Sequence, residues 1–168
     1  MHIENSVVQA RAKLLVHQER RFFDKGLGLW VYRQVDEDQE VYNLITNTGR
    51  VQLHTQCYAT SGILTNGFNY IALTNDSASP SATDTVLASE LAGSGLTRIQ
   101  GSVTLASGSG NQTTISNTFT YTGGSQAVQK TALFTALSGG VMNHEIAFSQ
   151  RTLFTNDTLA LTFTITLG

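Results

Sequence analysis

The sequence predicts a mainly β protein: an antiparallel β-sandwich of the jelly-roll type, preceded by an N-terminal α-helix or arm. Turn signals built from Gly, Asn, Asp and Ser recur about every ten residues from residue 41 onward. The segments between these turns alternate apolar with polar residues, which is typical of strands that bury one face. Charged residues make up only 13% of the 168 residues, and Thr, Ser, Asn, Gln and 15 Gly take their place. That composition suits strands and tight turns.

The first segment, residues 4–24, is expected to form an amphipathic helix. Asn5-Ser6 can cap its start, and Gly26 can end it. Such a helix could pack on the β domain or serve as an arm that docks on a neighbouring molecule, and both alternatives stay open. The chain is therefore divided into an N-terminal helix or arm, residues 1–40, and a β-sandwich domain, residues 41–168. The apolar stripe of the helix would contain Val7, Leu14, Leu15 and Phe22.

The strand candidates follow in order along the chain. A strand over 29–35 precedes an acidic run, residues 36–40, which we interpret as a solvated turn rather than a metal site. A loop over 75–85, which contains the only proline, leads into one or two helical turns at 86–91. The last strand shows the clearest alternation of apolar residues with Thr or Ala. This last strand covers residues 158–167. The other strand candidates are 41–46, 51–58, 68–73, 96–106, 113–122, 126–136 and 141–149.

Charge is concentrated at the start of the chain. Residues 1–50 hold seven Lys/Arg and seven Asp/Glu, 14 of the 22 charged residues, which suits a segment that pairs with a protein partner. The net charge is −2 and the sequence pI is about 6.0, so nucleic acid is not an expected partner. No stretch reaches the roughly 18 apolar residues of a transmembrane helix, and the first residues lack the layout of a signal peptide. A membrane is therefore not an expected partner either.

The sequence does not predict an enzyme. It contains no nucleophile elbow, phosphate-binding loop, dinucleotide fingerprint or zinc-binding helix, and a single cysteine, Cys57, excludes a Cys-based zinc cluster. His54 and His144 lie in predicted strands, and His144 shares a face with apolar residues, so we interpret it as a core or interface residue. Asp76 and Asp84 could bind Ca²⁺, although Asp84 as a helix N-cap is the simpler account. We expect no catalytic residue, no metal and no cofactor.

The segment F-N-Y-I-A-L-T-N-D at 68–76, followed by A-T-D-T-V-L-A-S-E-L at 82–91, resembles a pattern in virion proteins of tailed bacteriophages. In that group an aromatic strand of the form F-x-Y-I-A/G leads through a loop of small residues to A-T/S-D-T-x-L-x-x-E. The strand at 98–103 and the Thr-rich C-terminal end are also similar, so the resemblance covers residues 47–168. It implies a protein made in the host cytoplasm and placed in the virion, on the capsid surface or in the tail. It brings no catalytic residues.

The same motif also has a structural explanation. The short helix would be capped at its start, and Leu87 and Leu91 would plug one end of the sandwich as a lid. The carboxylate of Glu90 would then pair with the guanidinium of Arg98, which is close in sequence. The residues expected to build this structural cap are Asp84, Thr85, Glu90 and Arg98.

Within that group we expect a capsid decoration (cement) protein that binds the major capsid protein, stabilises the shell and forms a homo-oligomer, a trimer or a dimer. Uncharged Thr-rich strand faces can be buried at low desolvation cost, which suits a close-packed shell. Two alternatives stay open: a tail, baseplate or adaptor component bound to other virion proteins, and a carbohydrate-binding jelly-roll module. The partner-binding residues expected on the arm are Arg11, Arg20, Arg21, Phe22, Phe23 and Trp30.

Overall fold

The structure is a computed structural model, and it describes residues 10–42, 44–49, 67–105 and 112–167. These residues form eleven strands in two antiparallel sheets, which confirms the prediction of a mainly β protein. The strands are β1 (Ala10–Asp24), β2 (Leu29–Gln34), β3 (Gln39–Tyr42), β4 (Leu44–Ile45), β5 (Tyr70–Thr74), β6 (Ile99–Gln100), β7 (Ser102–Leu105), β8 (Gln112–Thr120), β9 (Ser125–Phe134), β10 (Met142–Phe154) and β11 (Thr158–Leu167).

The two sheets pack face to face. The first has the strand order β2-β1-β11-β8-β7, with β3 also paired to β1, and the second has the order β4-β10-β9-β5-β6. The largest core cluster contains buried side chains from both sheets, as expected when two sheets cover each other's apolar faces. Among its members are Leu14, Ile71, Ile115, Leu133, Ile146, Leu161 and Phe163.

β1 is a strand and not the helix that we expected over residues 4–24. Ala12, Leu14 and Val16 are almost fully buried, whereas the residues between them are half-buried, which is the two-residue period of a strand. β1 also pairs with β11 along ten consecutive residues. The prediction of a helix is therefore wrong for residues 10–24, because this alternation and the long β11 partner outweigh a weak helix propensity. The start of the expected helix lies outside the described residues.

Most of the other predicted strands are confirmed with shifted ends. The candidate at 96–106 divides into β6 and β7 at Gly101, where a Cβ would come within 2.8 Å of the Ile115 side chain. The candidate at 141–149 continues to the end of β10, and the candidate at 41–46 divides into β3 and β4. The expected strand over 51–58 lies outside the described residues, together with Cys57.

The loop over 75–91 covers the outer face of the second sheet rather than one end of the sandwich. Leu87 is buried there in a second apolar cluster, because residues that alternate with the core-facing ones on β5, β9 and β10 point outward. Leu91, the other residue of the expected lid, packs against the main core instead, so only Leu87 lies on this sheet face. Its apolar partners are Ala72, Ala132, Phe134 and Met142.

The helical turns expected at 86–91, with Asp84 and Thr85 as their cap, do not form. The backbone pairs with β5 instead: the N–H of Leu91 donates to the carbonyl of Leu73 at 2.8 Å, and Glu90 bridges to Thr74. Extended pairing satisfies backbone groups that a helix would otherwise have to satisfy internally. Among the described residues, no helix has the length and apolar character needed to cross a membrane.

Candidate functional site

The β1–β2 hairpin extends beyond the rest of the first sheet. β1 pairs with β11 as far as Glu19, and beyond that point residues 20–24 pair with residues 29–33 of β2. A turn over 25–28 joins the two strands. We call residues 20–33 the ribbon; its paired part is about 16 Å long at the usual rise of a strand. Because it leaves the sandwich in this way, side chains on both of its faces reach the surface.

The turn of the ribbon is closed by Asp24. Its carboxylate accepts hydrogen bonds from the N–H groups of Gly26 (2.9 Å) and Leu27 (3.2 Å) and from the Arg33 guanidinium (2.8 Å). The bonds from the Leu27 and Gly26 N–H groups hold the pKa of Asp24 below its ordinary value. Gly28 has φ of 67°, a left-handed conformation that glycine adopts without steric penalty. The local sequence therefore gives the ribbon a defined tip.

One face of the ribbon carries an exposed aromatic pair. Phe23 and Trp30 are cross-strand neighbours whose ring centroids lie 5.5 Å apart with an interplanar angle of 67°. The Arg21 guanidinium lies over the Trp30 ring, 4.8 Å from its centroid, and Tyr32 lies opposite Arg21. Phe23, Trp30 and Tyr32 keep 48%, 56% and 49% of their surface exposed. Edge-to-face and cation–π contacts thus order the rings of Phe23 and Trp30 without burying them.

The other face and the tip of the ribbon are apolar as well. Phe22 lies opposite Val31 and is exposed, as are Leu27 in the turn and Leu29 at the start of β2. Scattered apolar side chains are normal on a protein surface, but a contiguous group of them marks an interaction site. An open groove of about 460 Å³ on this hairpin is lined by Phe22, Phe23, Asp24, Lys25, Gly26 and Arg33.

A partly buried ion pair holds the base of the ribbon. The Nε of Arg20 donates to Oδ2 of Asp157 at 3.1 Å, and its Nη2 donates to the Thr152 carbonyl at 3.2 Å. The guanidinium also lies over the Phe154 ring, 4.5 Å from its centroid. Asp157 is buried, and the same Oδ2 accepts the Phe154 N–H at 3.0 Å. These contacts fasten the ribbon to the turn between β10 and β11.

The ribbon also holds the cationic side chains that lack a carboxylate partner. The structure describes eight Lys and Arg side chains, and six of them form ion pairs. Within this described set, Arg21 and Lys25 are the two that do not, and both are exposed. The six pairs are Lys13–Glu40, Arg20–Asp157, Arg33–Asp24, Arg98–Glu90, Lys130–Asp76 and Arg151–Asp36.

The structure brings most of the predicted partner-binding residues together, on a hairpin rather than on a helix. Arg20 is the exception on the ribbon, since it anchors the base. Arg11 lies opposite Thr166 in β1, and its side chain is outside the described part. Further exposed residues were not predicted, although apolar segments on both sides of a Gly-Leu-Gly turn are a hairpin signal. The predicted partner-binding residues exposed on the ribbon are Arg21, Phe22, Phe23 and Trp30, and those not predicted for this role are Lys25, Leu27, Leu29 and Tyr32.

Away from the ribbon, the predicted pair of Glu90 and Arg98 is confirmed. The Nε and Nη2 of Arg98 donate to the two carboxylate oxygens of Glu90 at 2.9 Å and 2.5 Å. Its Nη1 donates to the carbonyls of Ala136 (3.0 Å) and Gly139 (2.7 Å), and its guanidinium lies 3.6 Å from the centroid of the Phe134 ring. Arg98 therefore joins the loop over 75–91 to the turn between β9 and β10.

A charged cluster lies beneath the same loop. The Nζ of the buried Lys130 is 2.6 Å from Oδ2 of Asp76 and 3.2 Å from Oε1 of the buried Glu145. Burial raises the pKa of Glu145, and the neighbouring Asp84 carboxyl raises it further. Asp84 itself accepts the N–H of Ser81 at 2.8 Å. The described residues contain no group of three His, Cys, Asp or Glu side chains suited to a metal ion.

The histidines show no catalytic arrangement in the part of the chain that the structure describes. His144 is buried beside Leu133 and Ile45 with both ring nitrogens unpartnered, which confirms the prediction of a core residue, and burial lowers its pKa to about 4. His17 lies near the surface, 2.6 Å from Asp38. His2 and His54 lie outside the described residues.

The ribbon is therefore the candidate functional site, because it combines ordered aromatic rings, exposed aliphatic side chains and unpaired cations. No protein-family model matches the chain, and no curated protein matches it.

Proposed function

We propose that this chain is a structural protein of a tailed-bacteriophage particle, a capsid decoration protein that docks on the shell through the ribbon. The observation that carries the proposal is the exposure of ordered aromatic and aliphatic side chains on the ribbon. A docking element of this kind loses little conformational freedom on binding, because its rings are already held in place. The resemblance of residues 68–91 to phage virion proteins supports the choice of particle.

The partner in this proposal is the major capsid protein, and the shell is stabilised by many modest contacts. The outer face of the first sheet is uncharged around the β8–β11 pairing, where Thr162 lies opposite Ser116 and Thr164 opposite Thr114. That face would bury at low desolvation cost in a dimer or a trimer. The jelly-roll form of the sandwich belongs to the same proposal, and the pairing of the first and last strands supports it.

The test is co-sedimentation of the purified protein with isolated expanded capsids that lack it. The wild type should pellet with the capsids, and Trp30→Ala should weaken binding at least about tenfold, which corresponds to about 1.4 kcal/mol. Tyr42→Ala is the matched control, because Tyr42 is an exposed aromatic residue of β3 off the ribbon and its loss should leave binding unchanged. A wild-type chain that stays in the supernatant contradicts the proposal.

A tail, baseplate or adaptor role is the second candidate, since the resemblance covers both capsid-surface and tail proteins. Quantitative mass spectrometry of intact virions separates the two locations. A copy number in proportion to the major capsid protein supports the capsid, whereas a few copies per particle support the tail.

A carbohydrate-binding module is a candidate of a different class. The exposed Trp30 and Tyr32 rings favour it, because sugar rings stack on exposed aromatic faces. A glycan array discriminates here: binding that Trp30→Ala abolishes supports the lectin hypothesis, and an array without hits removes it.

A further inference from the structure

We propose that the surface receiving the ribbon is an apolar groove bearing carboxylates opposite Arg21 and Lys25, on a protein other than this chain. This inference rests on the proposed function and specifies the chemistry of its partner. It starts from the distribution of ion pairs. Every other Lys and Arg side chain that the structure describes has a carboxylate partner, and the two that do not lie beside the exposed rings.

The position of Arg21 is suited to recognising a carboxylate. Its guanidinium lies over the Trp30 ring, a contact that restrains the side chain without using a carboxylate. A planar guanidinium can donate two parallel hydrogen bonds to one carboxylate. When a partner covers Trp30, it also removes water from around Arg21, and an ion pair formed there becomes stronger than an exposed one.

Lys25 supplies a second cation at the tip. It lines the groove on the hairpin with Phe22 and Phe23, while the carboxylate of Asp24 is already used by two backbone N–H groups and Arg33. The charge of Lys25 is therefore not neutralised within the ribbon. A partner that buries the groove has to supply a carboxylate or leave that charge unpaired at a cost.

A second copy of this chain fits the ribbon less well. Most of the carboxylates that the structure describes already have cationic partners, as the six pairs show. Of the exposed remainder, Glu37 has no ion pair and Asp38 has only His17 at 2.6 Å. Both lie in the run 36–40, which contains no apolar residue. Charge complementarity thus favours a different protein with a larger acidic and apolar surface.

The experiment measures binding to the isolated capsids, and to isolated tails, over a series of NaCl concentrations. Arg21→Gln and Lys25→Gln each remove one positive charge and should weaken binding about tenfold at low salt, with a smaller effect at high salt. The matched control is Lys13→Gln, which removes the same charge at a paired site on the sheet and should bind as the wild type does. Trp30→Ala should weaken binding at every salt concentration.

The outcomes separate this inference from the proposed function. If the wild type pellets with neither capsids nor tails, the proposed function is wrong, and the inferred chemistry of the partner surface is rejected with it. If the wild type pellets but Arg21→Gln and Lys25→Gln bind as well as Lys13→Gln at low salt, the partner chemistry alone is wrong. Two further outcomes overturn the inference. In the first, the wild type self-associates, and in the second it floats with vesicles of phosphatidylcholine and phosphatidylglycerol. Either one counts when Arg21→Gln abolishes the self-association or the vesicle binding and leaves capsid binding intact.

Discussion

Phe23 and Trp30 form an edge-to-face pair with ring centroids 5.5 Å apart, yet about half of each side chain is exposed. The pair lies where β1 has passed the end of β11, so no second sheet covers it. Exposed rings do little for the stability of the isolated chain, whereas a partner that covers them gains large apolar area at a small entropic cost. Residues that hold the fold can therefore be distinguished by mutation from residues that serve docking.

The first prediction concerns this pair. Phe23→Ala and Trp30→Ala should each lower the free energy of unfolding by about 1 kcal/mol or less, since an exposed aromatic pair contributes only about 0.5 to 1.5 kcal/mol. Urea denaturation followed by circular dichroism measures the loss. A loss above about 3 kcal/mol, the size expected for a buried ring, would show that the ribbon belongs to the core.

The second prediction concerns the guanidinium beneath the loop over 75–91. Arg98→Met should lower the free energy of unfolding by about 3 to 5 kcal/mol, because it leaves Glu90 without its cation and two carbonyls without a donor. Arg33→Met is the control, because the Arg33–Asp24 pair is exposed and such surface pairs contribute little to stability. Equal losses for the two variants in urea denaturation would contradict this account of Arg98.

The third prediction is a pH dependence of stability due to His144. Its pKa is about 4 in the folded protein, against an ordinary value of 6.5. The unfolded chain therefore binds more protons, and stability should fall by about 3 kcal/mol as the pH drops from 6.5 to 4. His144→Leu should remove this loss, as measured by urea denaturation at a series of pH values. If the free energy of unfolding of His144→Leu falls with pH as steeply as that of the wild type, this role of His144 is contradicted.

His17 provides the control for that series. Its bond to Asp38 raises its pKa, so its contribution to stability is present below pH 6.5 and lost as the pH rises through the raised value. His17→Gln should therefore change the pH dependence in the direction opposite to His144→Leu.

The fourth prediction concerns the carboxyls near Lys130. Asp84→Asn should lower the pKa of Glu145, because it removes a charge that opposes ionisation while its amide oxygen can still accept the Ser81 N–H. A folded pKa above the unfolded value means that stability is gained as the pH falls through it, and the variant should reduce that gain. An NMR titration of the Glu145 carboxyl measures the shift, with Asp36→Asn as the control. If the pKa of Glu145 is the same in Asp84→Asn as in the wild type, the coupling between the two carboxyl groups is contradicted.

The strands that carry one buried face were predictable from local alternation, and β11 is the clearest case. The Glu90–Arg98 pair was also predictable, because the two residues are close in sequence and of opposite charge. The effect of Asp84 on the pKa of Glu145 was not predictable. Glu145 is distant in sequence and comes near Asp84 only when the loop over 75–91 folds onto the second sheet.

The segment that forms β1 shows why a helix was expected over residues 4–24. Leu14, Leu15 and Phe22 fit a helical stripe, and Leu14 and Val16 fit a strand equally well. Only the ten-residue pairing with β11 decides between these periods, and that contact joins the two ends of the described chain. The aromatic residues of the candidate site could be named from their type and position, but the hairpin that presents them could not.

The central claim, that the ribbon is the docking element, is tested most directly by a cryo-electron microscopy map of capsids decorated with the purified protein. We predict that the ribbon lies against the capsid protein, with Phe23 and Trp30 covered and carboxylates of the shell beside Arg21 and Lys25. A map in which the protein binds the shell through another surface, with the ribbon directed into solvent, would contradict it.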